Sequence, residues 1–121
     1  MGVKRILVID DEAGIRDFMK MYFEDREYDV TVAVDGQEGV ELFEKGSYDL
    51  VLCDMLMPRM IGIQVLERLR KAKSDQKVIM MTGVKDETMV AKAQSLGCHL
   101  YINKPVKLQE LEARVAECFP S

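Results

Sequence analysis

Apolar residues along this chain fall into two alternating rhythms. Ile6-Leu7-Val8-Ile9, Leu50-Val51-Leu52-Cys53 and Val78-Ile79-Met80-Met81 are unbroken apolar runs, as expected of parallel strands buried on both faces. Val30, Val32 and Val34 alternate with Thr31 and Ala33, and Leu100-Tyr101-Ile102 is short and mixed. Both read as strands nearer an edge. Between the runs the spacing turns helical. Ile15, Phe18, Met19, Tyr22 and Phe23 predict one apolar stripe. Val40 with Phe43, Val65 with Leu69 and Ala72, Met89 with Ala93 and Leu96, and Leu108 with Leu111 and Val115 predict the others. Punctuation agrees: Asp35 precedes Glu38 by three, Asp86 stands ahead of the fourth stripe as an N-cap, and Gly97 sits where a C-terminal cap belongs.

Strict alternation of strand and helix over short connections requires a parallel sheet with right-handed crossovers and helices on both faces. The expected fold is α/β and doubly wound, flavodoxin-like, with five strands in the order 2-1-3-4-5. No repeat, low-complexity tract or linker interrupts the chain, and 121 residues suit one domain with one core. Residues 1–121 are therefore expected to be a single domain with no effector domain behind it.

Composition narrows the partners. The chain is 48% hydrophobic and 31% charged, as in ordinary soluble proteins. Its net charge is -4, with no Lys/Arg run, so direct binding of nucleic acid is not expected. Its apolar runs are far shorter than a membrane span or a signal-peptide core, so no membrane insertion and a cytoplasmic location are expected. Cys53, Cys98 and Cys118 are odd in number and form no C-x-x-C pair, which fits core thiols better than a disulfide or zinc framework.

In open α/β sheets, ligands bind beyond the carboxyl ends of the strands, near the point where the strand order reverses. There the first strand ends in Asp10-Asp11-Glu12, the third in Asp54, the fourth in Thr82-Gly83, and the fifth runs into Asn103-Lys104-Pro105. Taken singly, each has an ordinary reading: a helix cap, a loop aspartate, a strand-end hydroxyl, a solvated turn lysine. Together they bring three aspartates, a hydroxyl and an ammonium to one edge. Clustered carboxylates raise one another's pKa unless something positive sits among them, and a divalent cation answers that need. Magnesium takes one or two carboxylates, waters and a phosphate oxygen. Asp11 and Asp54 can ligate it, and Asp10 can act through water.

These motifs resemble the receiver domains of two-component response regulators, over essentially the whole chain. "ILVIDDE" looks like that family's first strand and acidic pair, "DLVLCDMLMPRM" its phosphoacceptor strand and loop, "VIMMTG" its fourth strand and "YINKP" its fifth. The resemblance implies that Asp54 accepts a phosphoryl group from the phosphohistidine of a sensor histidine kinase or phosphotransfer protein. It implies that Asp10, Asp11, Asp54 and the Leu56 carbonyl hold Mg2+ or Mn2+, and that Thr82 and Lys104 bind the phosphoryl oxygens with the backbone N–H groups of Met55 and Gly83. It further implies a cis bond before Pro105, and a switch in which Tyr101 moves as Thr82 is drawn inward. The output surface would be the fourth helix, fifth strand and fifth helix, docking a downstream target. The chain would be a phosphoacceptor switch that gains and loses its own phosphoryl group, rather than a turnover enzyme.

Departures from the family pattern add detail. "GCHLY", with His99 and Leu100, lacks acidic residues ahead of Tyr101, so a monomer or weak homodimer is expected rather than a charge-paired dimer. Ile61 stands where the family has Asp, which weakens a helix cap. Leu56 and Val84, two residues beyond Asp54 and Thr82, are apolar and would position an attacking water poorly, predicting slow loss of phosphate. Met55, Met57 and Met60 read as loop packing in preference to a docking patch. A flavin or nucleotide binder would need a glycine-rich phosphate loop where Asp10-Asp11-Glu12 stands, and an aspartyl phosphatase a second Asp where Leu56 stands. A receiver-like module that is never phosphorylated remains the rival, although its usual mark, loss of an acidic residue, Thr or Lys, is absent.

Overall fold

The computed structural model describes residues 2–83 and 86–119. Strands Arg5–Ile9 (β1), Asp29–Ala33 (β2), Leu50–Asp54 (β3), Val78–Thr82 (β4) and Leu100–Asn103 (β5) alternate with helices Ala13–Glu24 (α1), Gly36–Lys45 (α2), Gly62–Ala72 (α3), Glu87–Ser95 (α4) and Leu108–Glu117 (α5). The strands pair in parallel in the order β2-β1-β3-β4-β5, as the periodicity predicts.

The unbroken apolar runs have a direct cause. Ile6, Val8, Leu50, Leu52, Ile79 and Met81 pack with Met19 and Phe23 of α1 and Leu111 and Val115 of α5. Their neighbours Leu7, Ile9, Val51, Cys53, Val78 and Met80 pack with α2, α3 and Ala93 of α4. Both sides of each central strand are thus core, and β3 and β4 are buried along their whole length. Met55 and Met57 belong to the same core, with Met60 packed against it, so the loop after β3 uses its methionines for packing.

Caps behave as the sequence suggests. Asp35 Oδ1 accepts the Glu38 N–H at 2.8 Å, and Glu38 Oε1 accepts the Val34 N–H at 2.8 Å. Asp86 Oδ1 accepts from the Thr88 and Met89 N–H groups, and Gly97 adopts φ +77° just past α4. Ile61 gives α3 no side-chain cap, and Gln64 Oε1 instead accepts the Ile61 N–H at 3.0 Å.

Three stripe positions differ from expectation. Val34 lies beyond β2 and is exposed, because the α2 capping box claims its N–H. Phe18 is 60% exposed, and the neighbouring Met21 73%; Met19 and Phe23 alone of α1 are fully buried. Ala72, the last residue of α3, is exposed. The C-terminal end of α4 is clasped by Arg70 of α3: its guanidinium donates to the carbonyls of Leu96 at 2.6 Å, Gly97 at 2.5 Å and Gln76 at 2.6 Å.

Candidate functional site

The strand order delivers the chemistry. β1 and β3 are neighbours, so Asp10, one residue past β1, and Asp54, the last of β3, share the carboxyl edge of the sheet at the point where the strand order reverses. β4 ends in Thr82, paired with Asn103 of β5, and this register places Lys104 beside the acids. The Lys104 N–H donates to the Thr82 carbonyl at 2.5 Å, and the bond from Lys104 to Pro105 is cis, as expected.

Asp10 is fully buried and Asp54 nearly so, whereas Asp11 is exposed. The Asp10 carboxylate accepts the Glu12 N–H at 2.9 Å and the Lys104 ammonium at 3.1 Å. Lys104 Nζ also stands 3.3 Å from Asp54 Oδ1 and 3.5 Å from Glu12 Oε1. One ammonium therefore joins the two buried acids. Burial, followed by the charge of Asp10, pushes the Asp54 carboxyl up to about 6 against the pull of Lys104. Burial opposes the charge on Lys104, but its hydrogen bond to Asp10 and the charges of Asp10 and Asp54 outweigh that and hold its pKa above the ordinary value.

Carboxylate oxygens of Asp10, Asp11 and Asp54 converge within 4.8 Å of one another. Three hard oxygen donors against a single ammonium suit a divalent cation such as Mg2+ or Mn2+. Leu56 follows in the loop, 43% exposed. Thr82 is 1% exposed. The Tyr101 hydroxyl is buried without a hydrogen bond of ordinary geometry among the described residues, although its side chain lies close enough to Thr82 to interact with it, and burial raises its pKa.

One expectation needs correction. The Met55 N–H donates to the Met81 carbonyl at 2.7 Å, extending the pairing of β3 with β4, so it is not free for a phosphoryl oxygen. The N–H groups of Leu56 and Gly83 make no hydrogen bond among the described residues. Val84 lies outside those residues.

Arg16 was not among the candidates from sequence. Its guanidinium reaches back from the first turns of α1 to the Asp10 carbonyl at 2.8 Å. A basic residue one turn into the helix after an acidic pair is a weak signal, since most such residues face solvent.

Comparison with known proteins bears on the same residues. The family model for the response regulator receiver domain matches residues 6–116. A protein of Porphyridium aerugineum named probable transcriptional regulator ycf27 is 40% identical over 115 residues, covering 95% of this chain and 48% of its own length. The chain spans about half the length of the curated relatives it matches. Among solved structures, a CheY-like response regulator receiver domain protein from Methanospirillum hungatei has a TM-score of 0.93 at 33% identity, over 96% of this chain and 93% of that one. The response regulator protein TrrA from Thermotoga maritima, solved in complex with Mg(2+)-BeF, has a TM-score of 0.87 at 32% identity, over 97% and 100%.

Proposed function

Because the chain belongs to the response regulator receiver domain family, we propose that Asp54 is its phosphoacceptor, taking a phosphoryl group from the phosphohistidine of a sensor histidine kinase or phosphotransfer protein. The observation that carries this reading is the buried carboxylate of Asp54 at the end of β3, 3.3 Å from Lys104 Nζ and converging with Asp10 and Asp11.

An Asp54 oxygen attacks phosphorus, and the O–P bond forms as the N–P bond to the imidazole breaks. The electron pair stays on the imidazole nitrogen, and the product is an acyl phosphate. Such transfers depend on positioning and on neutralising the equatorial oxygens. Lys104 faces those oxygens with its ammonium, Thr82 offers its hydroxyl, and the Gly83 and Leu56 N–H groups make no hydrogen bond among the described residues. Met55 joins only by giving up Met81. Receiver domains bind Mg2+ at such an aspartate cluster; Asp11, Asp54 and the Leu56 carbonyl, with Asp10 through water, would hold it here, and it would supply positive charge beside the phosphoryl oxygens.

The acyl phosphate carries more negative charge and more acceptors than the carboxylate, so it draws Lys104 and Thr82 toward it. Tyr101, packed beside Thr82, follows, and the change reaches the surface of α4, β5 and α5, where a downstream target docks. The relatives named as transcriptional regulators suggest that this output controls transcription through a partner or an attached domain. No helix among the described residues is long and apolar enough to cross a membrane, which suits a cytoplasmic regulator.

Intact mass after incubation with magnesium and acetyl phosphate tests the reading, run beside Asp54→Ala. Gain of one phosphoryl group by the parent alone supports it. No gain by a folded parent that binds magnesium favours a receiver-like module that works unphosphorylated.

A further inference from the structure

Gly62 opens α3 at a point where the helix touches the backbone of the acceptor strand. A Cβ there would lie 2.6 Å from the Asp54 carbonyl oxygen, 2.8 Å from Met55 Cα and 2.7 Å from Met80 Cε. Two of these atoms are main chain and cannot move aside as a side-chain tip would. The backbone of Gly62 is not left-handed, so the glycine is there for close approach and not for a turn. Its own N–H donates to the Met55 carbonyl at 2.7 Å, tying the end of the loop that follows Asp54 back onto the start of that loop.

The opposite side of the same segment is held as firmly. The Asp54 carbonyl and the Met55 N–H belong to one peptide group, and that N–H bonds to the Met81 carbonyl of β4. The peptide is therefore gripped between β4 on one side and the first residue of α3 on the other. We propose that Gly62 is a positioning residue for phosphoryl transfer, letting α3 seat against the Asp54–Met55 peptide and fix where the Asp54 carboxylate stands relative to Asp11 and Lys104. A side chain at this position displaces the acceptor without touching any reacting group. The inference rests on Asp54 being the acceptor.

The test compares the parent, Gly62→Ala and Gly39→Ala. Gly39 is equally crowded, but the three atoms nearest a Cβ there all belong to the Ile9 side chain, the first at 2.5 Å. Two quantities are read per folded molecule: the rate of phosphorylation by acetyl phosphate, and Mn2+ affinity from the spin-resonance signal of free Mn2+. Gly62→Ala should react roughly tenfold or more slowly, since small misplacements of reacting groups have large effects. It should also bind Mn2+ roughly tenfold more weakly, as when support behind a metal ligand is lost. Gly39→Ala should match the parent in both while unfolding at lower temperature.

A parent-like rate and Mn2+ affinity in folded Gly62→Ala would overturn the proposal. Gly62→Ala/Met80→Ala relieves the Met80 contact and leaves both main-chain contacts. Low rate and weak Mn2+ binding should persist there, whereas recovery to parent values would assign the effect to side-chain packing and reject the proposal. The double variant also serves if Gly62→Ala alone does not fold. A parent that takes up no phosphoryl group overturns the acceptor reading and this inference with it, whereas an active parent beside an unimpaired Gly62→Ala overturns this inference alone.

Discussion

The two halves of the sheet are built to different tolerances. On one side, β3 is buried at every position, and its terminal Asp54 sits with Asp10 against Lys104. On the other, β5 contains no fully buried residue, and α4 buries only Ala93. Thr82 and Tyr101 lie along the seam between them. A switch of this kind needs a part that holds chemistry still and a part that can be re-seated for little free energy. Local stability follows buried apolar contact, so the division is already visible in the packing.

The sharpest way to break this comparison is to cut one leucine from each half. Leu52→Ala in β3 should lose about 3–5 kcal/mol, and Leu100→Ala in β5 only about 1–2 kcal/mol, both by urea unfolding. Equal losses would mean that the edge strand is as tightly built as the centre. Next in size is the ammonium between the buried acids. Lys104→Ala leaves Asp10 and Asp54 facing each other without it, and in EDTA at neutral pH it should lose about 2–4 kcal/mol, part of which added magnesium restores.

The pH dependence of Asp54 sharpens the same point. Its carboxyl, raised from 3.8 to about 6 in the fold, binds its proton more tightly folded than unfolded. Its contribution to stability is therefore full below about pH 4 and is lost as pH rises through about 6. Asp54→Asn should accordingly be more stable than the parent by about 1–3 kcal/mol at pH 7.5 in EDTA, with the advantage gone near pH 4. Urea melts at the two pH values check it, and a constant advantage would trace the gain to something other than ionisation. The smallest effect belongs to the seam. The Tyr101 hydroxyl is buried without a well-formed hydrogen bond among the described residues, so Tyr101→Phe should change stability by no more than about 1 kcal/mol, and a larger loss would show that the hydroxyl is firmly bonded.

How much of this was legible in sequence depends on how local the cause is. Runs such as Leu50 to Cys53 announce themselves because both faces of a central parallel strand are core. Asp35, Asp86 and Gly97 are legible because capping acts within a few residues. Phe18 falls on the apolar stripe yet outside the core, because a periodic stripe does not say how wide a face the neighbours cover. Val34 alternates like a strand residue yet lies beyond β2, because alternation is blind to the competing claim of a helix cap on its N–H. The acidic site could be assembled from strand ends once the topology was assumed, but the bond from Lys104 to Asp10 joins residues 94 apart in the chain. The engagement of Met55 with Met81 depends on register. No pattern within one segment carries either fact.

The Arg70 clasp on Leu96 and Gly97 makes α4 a lever with its fulcrum at the far end from the phosphoryl site. A helix of nine residues is about 13 Å long, so turning it by about 10° about that end carries Glu87 through about 2 Å while Ser95 scarcely moves. Any swing of α4 about that end would therefore be graded along the helix, and a partner docked on its first turn would sense more of it than one docked on its last.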